Sequence, residues 1–428
     1  MVYISVLAAL AILVCPLLSR TKVDVFHPLV LFSFSFTIGG VIRTSYYVSR
    51  YPATDLPYGL SIADLKVAIV VIIVAFIVLV SGYYAKIGKR VSKIFTLDGV
   101  RRVNYNIVRY SSVVLLLIGI CLFTLLFRDL SFGQVFLEIS SKRNFENGYL
   151  VWGAEIIYVS FILIYTIGIL GGKKKTSYRF VMFVSFVIYL SIGFFMSRRG
   201  MILKGFLIPA VIHHYGKEKI GITKVITGGA CFLLLFSLMA GMRRKAFSGI
   251  YEMIEFVESK FPEEIYSSFV TGHYLFDITT VATLIRDVPK SLGFQYGKTM
   301  VTWVLMPIPR SVWPEKPTAV GQLVGANIYD QGIGKIGGGV PPPLPADLYL
   351  NFNIVGVIVG MFVFGIFVRI AYSLVTDRDT SFLSLITYSL LLTTLISMFN
   401  GGFSKPIVGF LKLYIPALMV YIVSLFPK

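Results

Sequence analysis

Charge is scarce in this sequence. Of 428 residues only 14% are Asp, Glu, Lys or Arg, against about 25% in an ordinary soluble domain. With a mean hydropathy of +0.80, a water-soluble core of this size is excluded, and lipid is the expected solvent. Cysteine is scarcer still. Cys15, Cys121 and Cys231 all lie inside apolar runs, so neither a disulfide framework nor a thiolate metal spacing is present. Acidic residues number 21 against 40 basic ones, a net charge of +19. The basic residues sit in short loops between apolar runs rather than on one soluble face, which argues against a nucleic-acid partner. The P-loop, HExxH, GxSxG and Rossmann glycine patterns are all missing, as are internal repeats and low-complexity tails. No cofactor and no metal site is expected.

What remains is a series of apolar runs near the ~20 residues needed to cross a bilayer. They fall at about Val2–Leu18, Phe26–Ile42, Leu65–Tyr84, Tyr110–Phe127, Leu150–Leu170, Phe180–Met196, Met201–His213, Thr223–Gly241, Leu350–Val368, Phe382–Phe399 and Ile407–Leu425. The expected fold is an all-α polytopic membrane protein with about eleven spans. The first run lacks a basic lead-in and a small-residue cleavage site, and reads as a span rather than a removed leader. The seventh is short and carries Pro209 and Lys204, so a tilt, kink or re-entrant course is expected there.

Loop charge sets the orientation. The loops on one side hold eighteen Lys and Arg, among them Lys173, Lys174 and Lys175, and the short loops on the other side hold eight. The richer side is taken as cytoplasmic. The chain then divides into helices 1–8 over residues 1–242, a large extracytoplasmic loop over 243–348 that carries the active site, and helices 9–11 over 349–428. The loop balances ten basic against ten acidic residues and is long enough for a small folded module. Tyr251–Phe261 and Glu263–Ile285 read as amphipathic helices.

Cations on the outer side run against the positive-inside bias and so ask for partners. Ser197-Arg198-Arg199-Gly200 is a tight external turn, and Arg243-Arg244-Lys245 opens the long loop. Guanidinium forks match phosphate oxygens bidentately, although headgroup snorkelling explains the same placement. The stretch Pro307–Pro317 holds four prolines that restrict the backbone and presents Arg310, Trp313 and Lys316 for an anionic or sugar ligand, or else is a structural loop on the membrane surface. His273 and Asp277, four apart, would share one face of a helix as a carboxylate-assisted base. Gly338 and Gly339 permit close backbone approach. Asp347, Tyr349 and Asn351 follow at the lipid interface with polar groups for sugar hydroxyls; a plain helix cap at Asp347 is the competing reading. Within the spans, Glu155, Lys204 and Lys412 are the main charged exceptions.

These motifs together resemble the Wzy-type oligosaccharide repeat-unit polymerases, the O-antigen polymerases of bacteria. The likeness rests on the Arg turn Ser197–Gly200, the Tyr274–Asp277 segment, the run Pro309–Pro317, and the glycines followed by Asp347-Leu348-Tyr349-Leu350-Asn351-Phe352. Asp347 stands where the family often has Glu, and Asn353 where Gly is usual. The resemblance implies a lipid-dependent glycosyltransferase (GT-C-like) membrane fold, shared with the O-antigen ligases. It also implies transfer of a glycan from undecaprenyl diphosphate onto an incoming lipid-linked repeat unit at the outer face of the plasma membrane, in O-antigen, capsule or related polysaccharide synthesis. On that reading Arg198, Arg199, Arg243, Arg244, Arg310 and Lys316 bind diphosphate in place of a metal. His273, Asp277 and Asp347 are the acid–base candidates, and Trp313, Gly338, Gly339, Tyr349 and Asn351 meet glycan. The expected partners are the lipid-linked oligosaccharide, membrane lipid and a chain-length regulator. An O-antigen ligase is the nearest alternative. A flippase fits less well, because it would need charge within its spans and no hundred-residue outer loop.

Overall fold

The computed structural model describes residues 24–52, 56–94, 103–125, 148–171, 176–196, 198–232, 276–306, 308, 312–328, 339–377 and 380–426. The regular elements among them are helices: α1 (Pro28–Arg50), α2 (Ile62–Tyr84), α3 (Lys86–Ile94), α4 (Tyr105–Leu125), α5 (Gly148–Ile169), α6 (Thr176–Phe195), α7 (Arg199–Gly216), α8 (Ile222–Phe232), α9 (Ile278–Asp287), α10 (Thr302–Leu305), α11 (Val320–Asn327), α12 (Leu344–Thr376), α13 (Phe382–Gly401) and α14 (Ser404–Ser424). Eight of these, α1, α2, α4, α5, α6, α12, α13 and α14, are long and apolar enough to cross a membrane.

The expected count was eleven, and the difference lies in three runs. Val2–Leu18 lies outside the described residues. The run at Met201–His213 is α7, which also carries Arg199, His213 and His214 and is not among the eight. The run at Thr223–Gly241 is described only as α8. In the long loop, the helix expected over Tyr251–Phe261 also falls outside the described residues. Of the one expected over Glu263–Ile285, residues 263–275 fall outside the described residues, and α9 begins at Ile278 with Asp277 in an extended conformation as its cap.

The chain forms two compact units. The first comprises Met1–Thr96, Val270–Ser373 and Thr394–Val408, and the second Leu97–Phe269, Leu374–Thr393 and Gly409–Lys428. In the first unit, α1 starts at Pro28 with the His27 ring accepting from Leu29 N at 3.2 Å, and α2 starts in a capping box between Ser61 and Asp64. Residues Thr37–Ile42 of α1 widen into a π-helical stretch, a local form that recurs at functional positions. Gly82 of α2 lies against the Phe362 carbonyl of α12, and Gly365 of α12 against the Leu79 carbonyl, so a Cβ at either would collide. Without a hydrophobic drive between helices in lipid, such small-residue contacts carry the association. Phe32 and Phe399 stack at 4.7 Å, and Phe276 meets Phe36 at 5.3 Å and Phe399 at 5.2 Å, each pair worth about 0.5–1.5 kcal/mol.

The second unit is organised around α5, which is buried on nearly every side, with Ala154, Ile157, Tyr158, Ile162 and Leu163 at 0–1% exposure. Gly119 of α4 and Gly153 of α5 face each other, so that a Cβ on Gly153 would lie 2.6 Å from the Gly119 carbonyl oxygen. Ser160 Oγ donates to the Ser112 carbonyl at 2.7 Å, a hydrogen bond from α5 to α4. By contrast α6 turns Phe180 and Phe183 outward, at 69% and 64% exposure, as a lipid-facing helix would.

Candidate functional site

The first unit holds a buried polar node where α12 breaks. Phe352 and Asn353 leave helical geometry, Asn353 at φ 57 and ψ −158. A helix ending here exposes its last carbonyls, and the chain from Gln295 supplies their donors. Gln295 N donates to Leu350 O at 3.0 Å and Tyr296 N to Asn351 O at 3.2 Å. The Asn351 side chain closes the arrangement. Its Oδ1 accepts from Gly297 N at 2.8 Å, and its Nδ2 donates to Thr299 Oγ1 at 2.7 Å and to the Asp347 carbonyl at 2.8 Å.

Asp347 lies at the centre of this node with no exposed surface. Oδ1 accepts from Thr299 Oγ1 at 3.0 Å and from Asn351 Nδ2 at 3.1 Å, and Oδ2 accepts from Phe403 N at 3.0 Å. Ser404 Oγ completes the junction by donating to Thr299 O at 2.6 Å. The turn that brings Phe403 close needs Gly402, which has φ +80 and whose Cβ would sit 3.0 Å from Asp347 Oδ2. The node thus clamps three stretches together: the 295–304 loop, the start of α12 and the α13–α14 turn. Asp347 and Asn351 were expected to turn polar groups toward sugar; both are fully buried and their side chains are engaged.

Asp277 is equally committed. It caps α9 by accepting from Thr279 N at 3.0 Å, and it also accepts from Thr279 Oγ1 at 2.7 Å and Thr280 Oγ1 at 2.9 Å. Arg43 Nη1 pairs with Oδ1 at 2.7 Å, and both side chains are at most 3% exposed. The expected pairing of Asp277 with His273 lies outside the described residues, as His273 does. Burial pushes the Tyr58 phenol up, and the nearby Asp277 carboxylate adds to that while Arg43 opposes it.

Of the expected glycan and diphosphate contacts, Arg243, Arg244, Arg310 and Gly338 lie outside the described residues. Trp313 is 40% exposed, open enough to serve as a stacking platform. Lys316 Nζ donates to Ile308 O at 2.5 Å and to Met306 O at 3.5 Å, which closes the proline-rich loop on itself. Gly339 packs on Gly321, and Tyr349 is half-buried near Phe294. Arg198 and Arg199 sit where α6 turns into α7, with Arg198 N donating to Gly193 O at 2.8 Å. Arg199 occupies the first turn of α7, against the helix dipole, and both arginines are half-buried. Among the described residues no three His, Cys, Asp or Glu side chains group as metal ligands.

Several members of these networks drew no attention in the sequence. Thr299, Gly402 and Phe403 carry no local signal, because each gains its role from a segment far along the chain; Arg43 counts among the cations in the Lys- and Arg-poor loops, but its partner Asp277 lies far along the chain. Glu155, Lys204 and Lys412 do carry one, charge inside an apolar span.

The family model described as O-antigen polysaccharide polymerase Wzy matches residues 1–428, the whole chain. No curated protein and no solved structure matches it.

Proposed function

We propose that this chain, which belongs to the O-antigen polysaccharide polymerase Wzy family, extends a glycan block by block on undecaprenyl diphosphate. The family model's match to the whole chain carries this reading. A member of that family is a glycosyltransferase-type polymerase acting on lipid-linked oligosaccharide in the membrane, and the apolar helices agree with that solvent. In the proposed reaction the acceptor sugar hydroxyl attacks the anomeric carbon of the donor glycan. The bond from that carbon to the diphosphate oxygen breaks, the diphosphate leaves with the electron pair, and a base takes the hydroxyl proton.

His273 is the proposed base. Asp277 and Asp347 are then positioning residues: the first sets the start of α9, the second fixes the 295–304 loop against α12. Arg198, Arg199, Arg243, Arg244, Arg310 and Lys316 are the proposed counter-charges to the departing diphosphate, stabilising charge as it develops without a metal. Trp313, Gly338, Gly339, Tyr349 and Asn351 line or support the glycan path. We place the reaction on the extracytoplasmic face of the plasma membrane, in a GT-C-like membrane fold, with a chain-length regulator as partner.

The decisive experiment supplies purified protein with lipid-linked repeat units in detergent and no lipid A acceptor. A ladder of longer lipid-linked glycans is the expected result. No growth until a lipid A core acceptor is added would make the protein a ligase instead.

A further inference from the structure

The second unit gathers the charges that its membrane helices carry. Lys412 of α14 lies within electrostatic reach of Glu155 on α5, Arg198 at the head of α7, and Lys204 on α7. Arg198 in turn feels Glu155 and Tyr189. Gly409, three residues before Lys412, makes room for the second ammonium: a Cβ there would lie 3.2 Å from Lys204 Nζ. The surrounding scaffold is rigid. Tyr158 stacks on Tyr189 at 4.0 Å and donates to the Lys204 carbonyl at 2.7 Å, and Trp152 Nε1 donates to the Lys412 carbonyl at 2.9 Å.

The charges do not balance. Among the described residues three cations, Arg198, Lys204 and Lys412, face one carboxylate, Glu155, an excess of two positive charges. Glu155 Oε2 and the Tyr189 hydroxyl are both buried and lie beside one another, so the one carboxylate is shared between that phenol and the cations. Uncompensated charge within a bilayer is costly and calls for a counter-ion. Lys204, Glu155 and Lys412 lie roughly 8, 10 and 12 Å along their helices from the helix starts. On the orientation expected from loop charge, all three starts are at the outer face.

We propose that Arg198, Lys204 and Lys412, arranged around Glu155, form a binding site for the diphosphate of a lipid substrate, set below the outer membrane surface. The inference rests on the polymerase reading and adds Lys204 and Lys412 to the residues that hold the substrate. Two phosphates supply the missing negative charge and accept from the ammonium and guanidinium groups. The Tyr189 hydroxyl donates to a phosphate oxygen. Glu155 is a positioning residue that holds the cations together before the lipid arrives and competes with it afterwards.

The test is equilibrium binding of undecaprenyl diphosphate to the purified full-length protein in detergent. Inorganic diphosphate and phosphatidylglycerol serve as competitors. Lys204→Met and Lys412→Met keep bulk without charge, Lys204→Arg keeps charge, and Lys66→Met on α2 is a control outside the cluster. Each Lys→Met change at 204 and 412 is expected to weaken binding about tenfold or more. Lys204→Arg should retain most affinity, and Glu155→Gln should tighten binding a few-fold by removing the competing charge. Inorganic diphosphate should compete and phosphatidylglycerol should not.

The site is overturned if both Met variants bind like wild type. It is also overturned if Glu155→Gln weakens binding together with them while all three lower Tm, the mark of a structural ion network. Equal competition by phosphatidylglycerol would make it a headgroup anchor and likewise remove it. Binding that depends on Lys204 and Lys412 in a protein that makes no polymer would sink the polymerase reading and leave this site standing. Polymer made normally by both Met variants would do the reverse.

Discussion

Asp347 in the first unit and Glu155 in the second are both carboxylates within apolar helices, and their surroundings treat them in opposite ways. Asp347 receives three donors from three separate stretches of chain and has no exposed surface. Glu155 is shared between the Tyr189 hydroxyl and three cations, which leaves an excess of positive charge around it. The same contrast separates Asp277, paired with Arg43 and engaged by Thr279 and Thr280, from Arg198 at the α6–α7 turn, half-buried in the cluster around Glu155. A buried polar group whose hydrogen bonds are complete holds structure together. A cluster whose charges do not balance has room for a counter-ion. On this contrast, changes in the first set cost stability and changes in the second cost activity.

The largest effect tests the first half of that comparison. Asp277→Ala leaves the Arg43 charge buried without its counter-ion, a loss of about 3–5 kcal/mol, expected as failure to accumulate folded protein. Arg43→Met combined with Asp277→Ala should recover part of the loss, measured as Tm and monodisperse yield in detergent. No recovery in the double variant would mean that the cap and the Thr contacts, rather than the ion pair, carry the energy.

Asp347→Asn comes next. Its amide nitrogen would face the Phe403 N–H donor to donor, a cost of about 1–3 kcal/mol for an unmade buried hydrogen bond. Urea or thermal unfolding reads it. Full stability with lost polymer synthesis would place Asp347 in the chemistry and break the comparison.

The arginines test the second half. Replacing Arg198 or Arg199 by Ala should slow polymerisation about ten- to a hundredfold, since one charge-assisted hydrogen bond is worth roughly 1.5–3 kcal/mol and each 1.36 kcal/mol is tenfold in rate. Tm should stay near wild type. Lys should rescue poorly at both positions if the guanidinium fork is used. Glycan chain length, normalised to expressed protein, is the measurement, and a large fall in Tm without a rate effect would put these arginines with Asp277.

The smallest effect is at the break in α12. Asn353 holds φ 57 and ψ −158, a region that is almost reserved for glycine, and its Oδ1 accepts from Ile354 N at 2.7 Å. Asn353→Gly should therefore be neutral or slightly stabilising, while Asn353→Val should cost about 1–3 kcal/mol. Thermal unfolding distinguishes them, and equal Tm for the two would mean that the break is not a fixed feature.

Asn353 also shows how far a sequence reading reaches. Its departure from the family's usual glycine was visible as a substitution, but the reason glycine suits the position is a dihedral angle. The membrane class and the positions of eight spans were legible from hydropathy, because twenty consecutive apolar residues are a local property. Which face of α5 is buried was not, since that helix is apolar all round and shows no periodicity to read. Asp277 was harder to read for a related reason. Spacing predicts a shared face only inside a helix, and Asp277 is the residue that stops α9 from starting earlier.

The sequence by itself determined that the chain lives in a membrane, that one of its loops is long and charge-balanced, and that arginines cluster beside that loop and at the turn between two spans. Each of these depends on composition along a short window. Only the tertiary structure decided that Asp277 and Asp347 are bound into closed networks while Glu155, Lys204, Lys412 and Arg198 share one incomplete cluster. Arg43 meets Asp277, and Thr299 meets Asp347 and Ser404, across sequence separations that no local pattern encodes. Whether a buried charge is satisfied is settled by those distant partners.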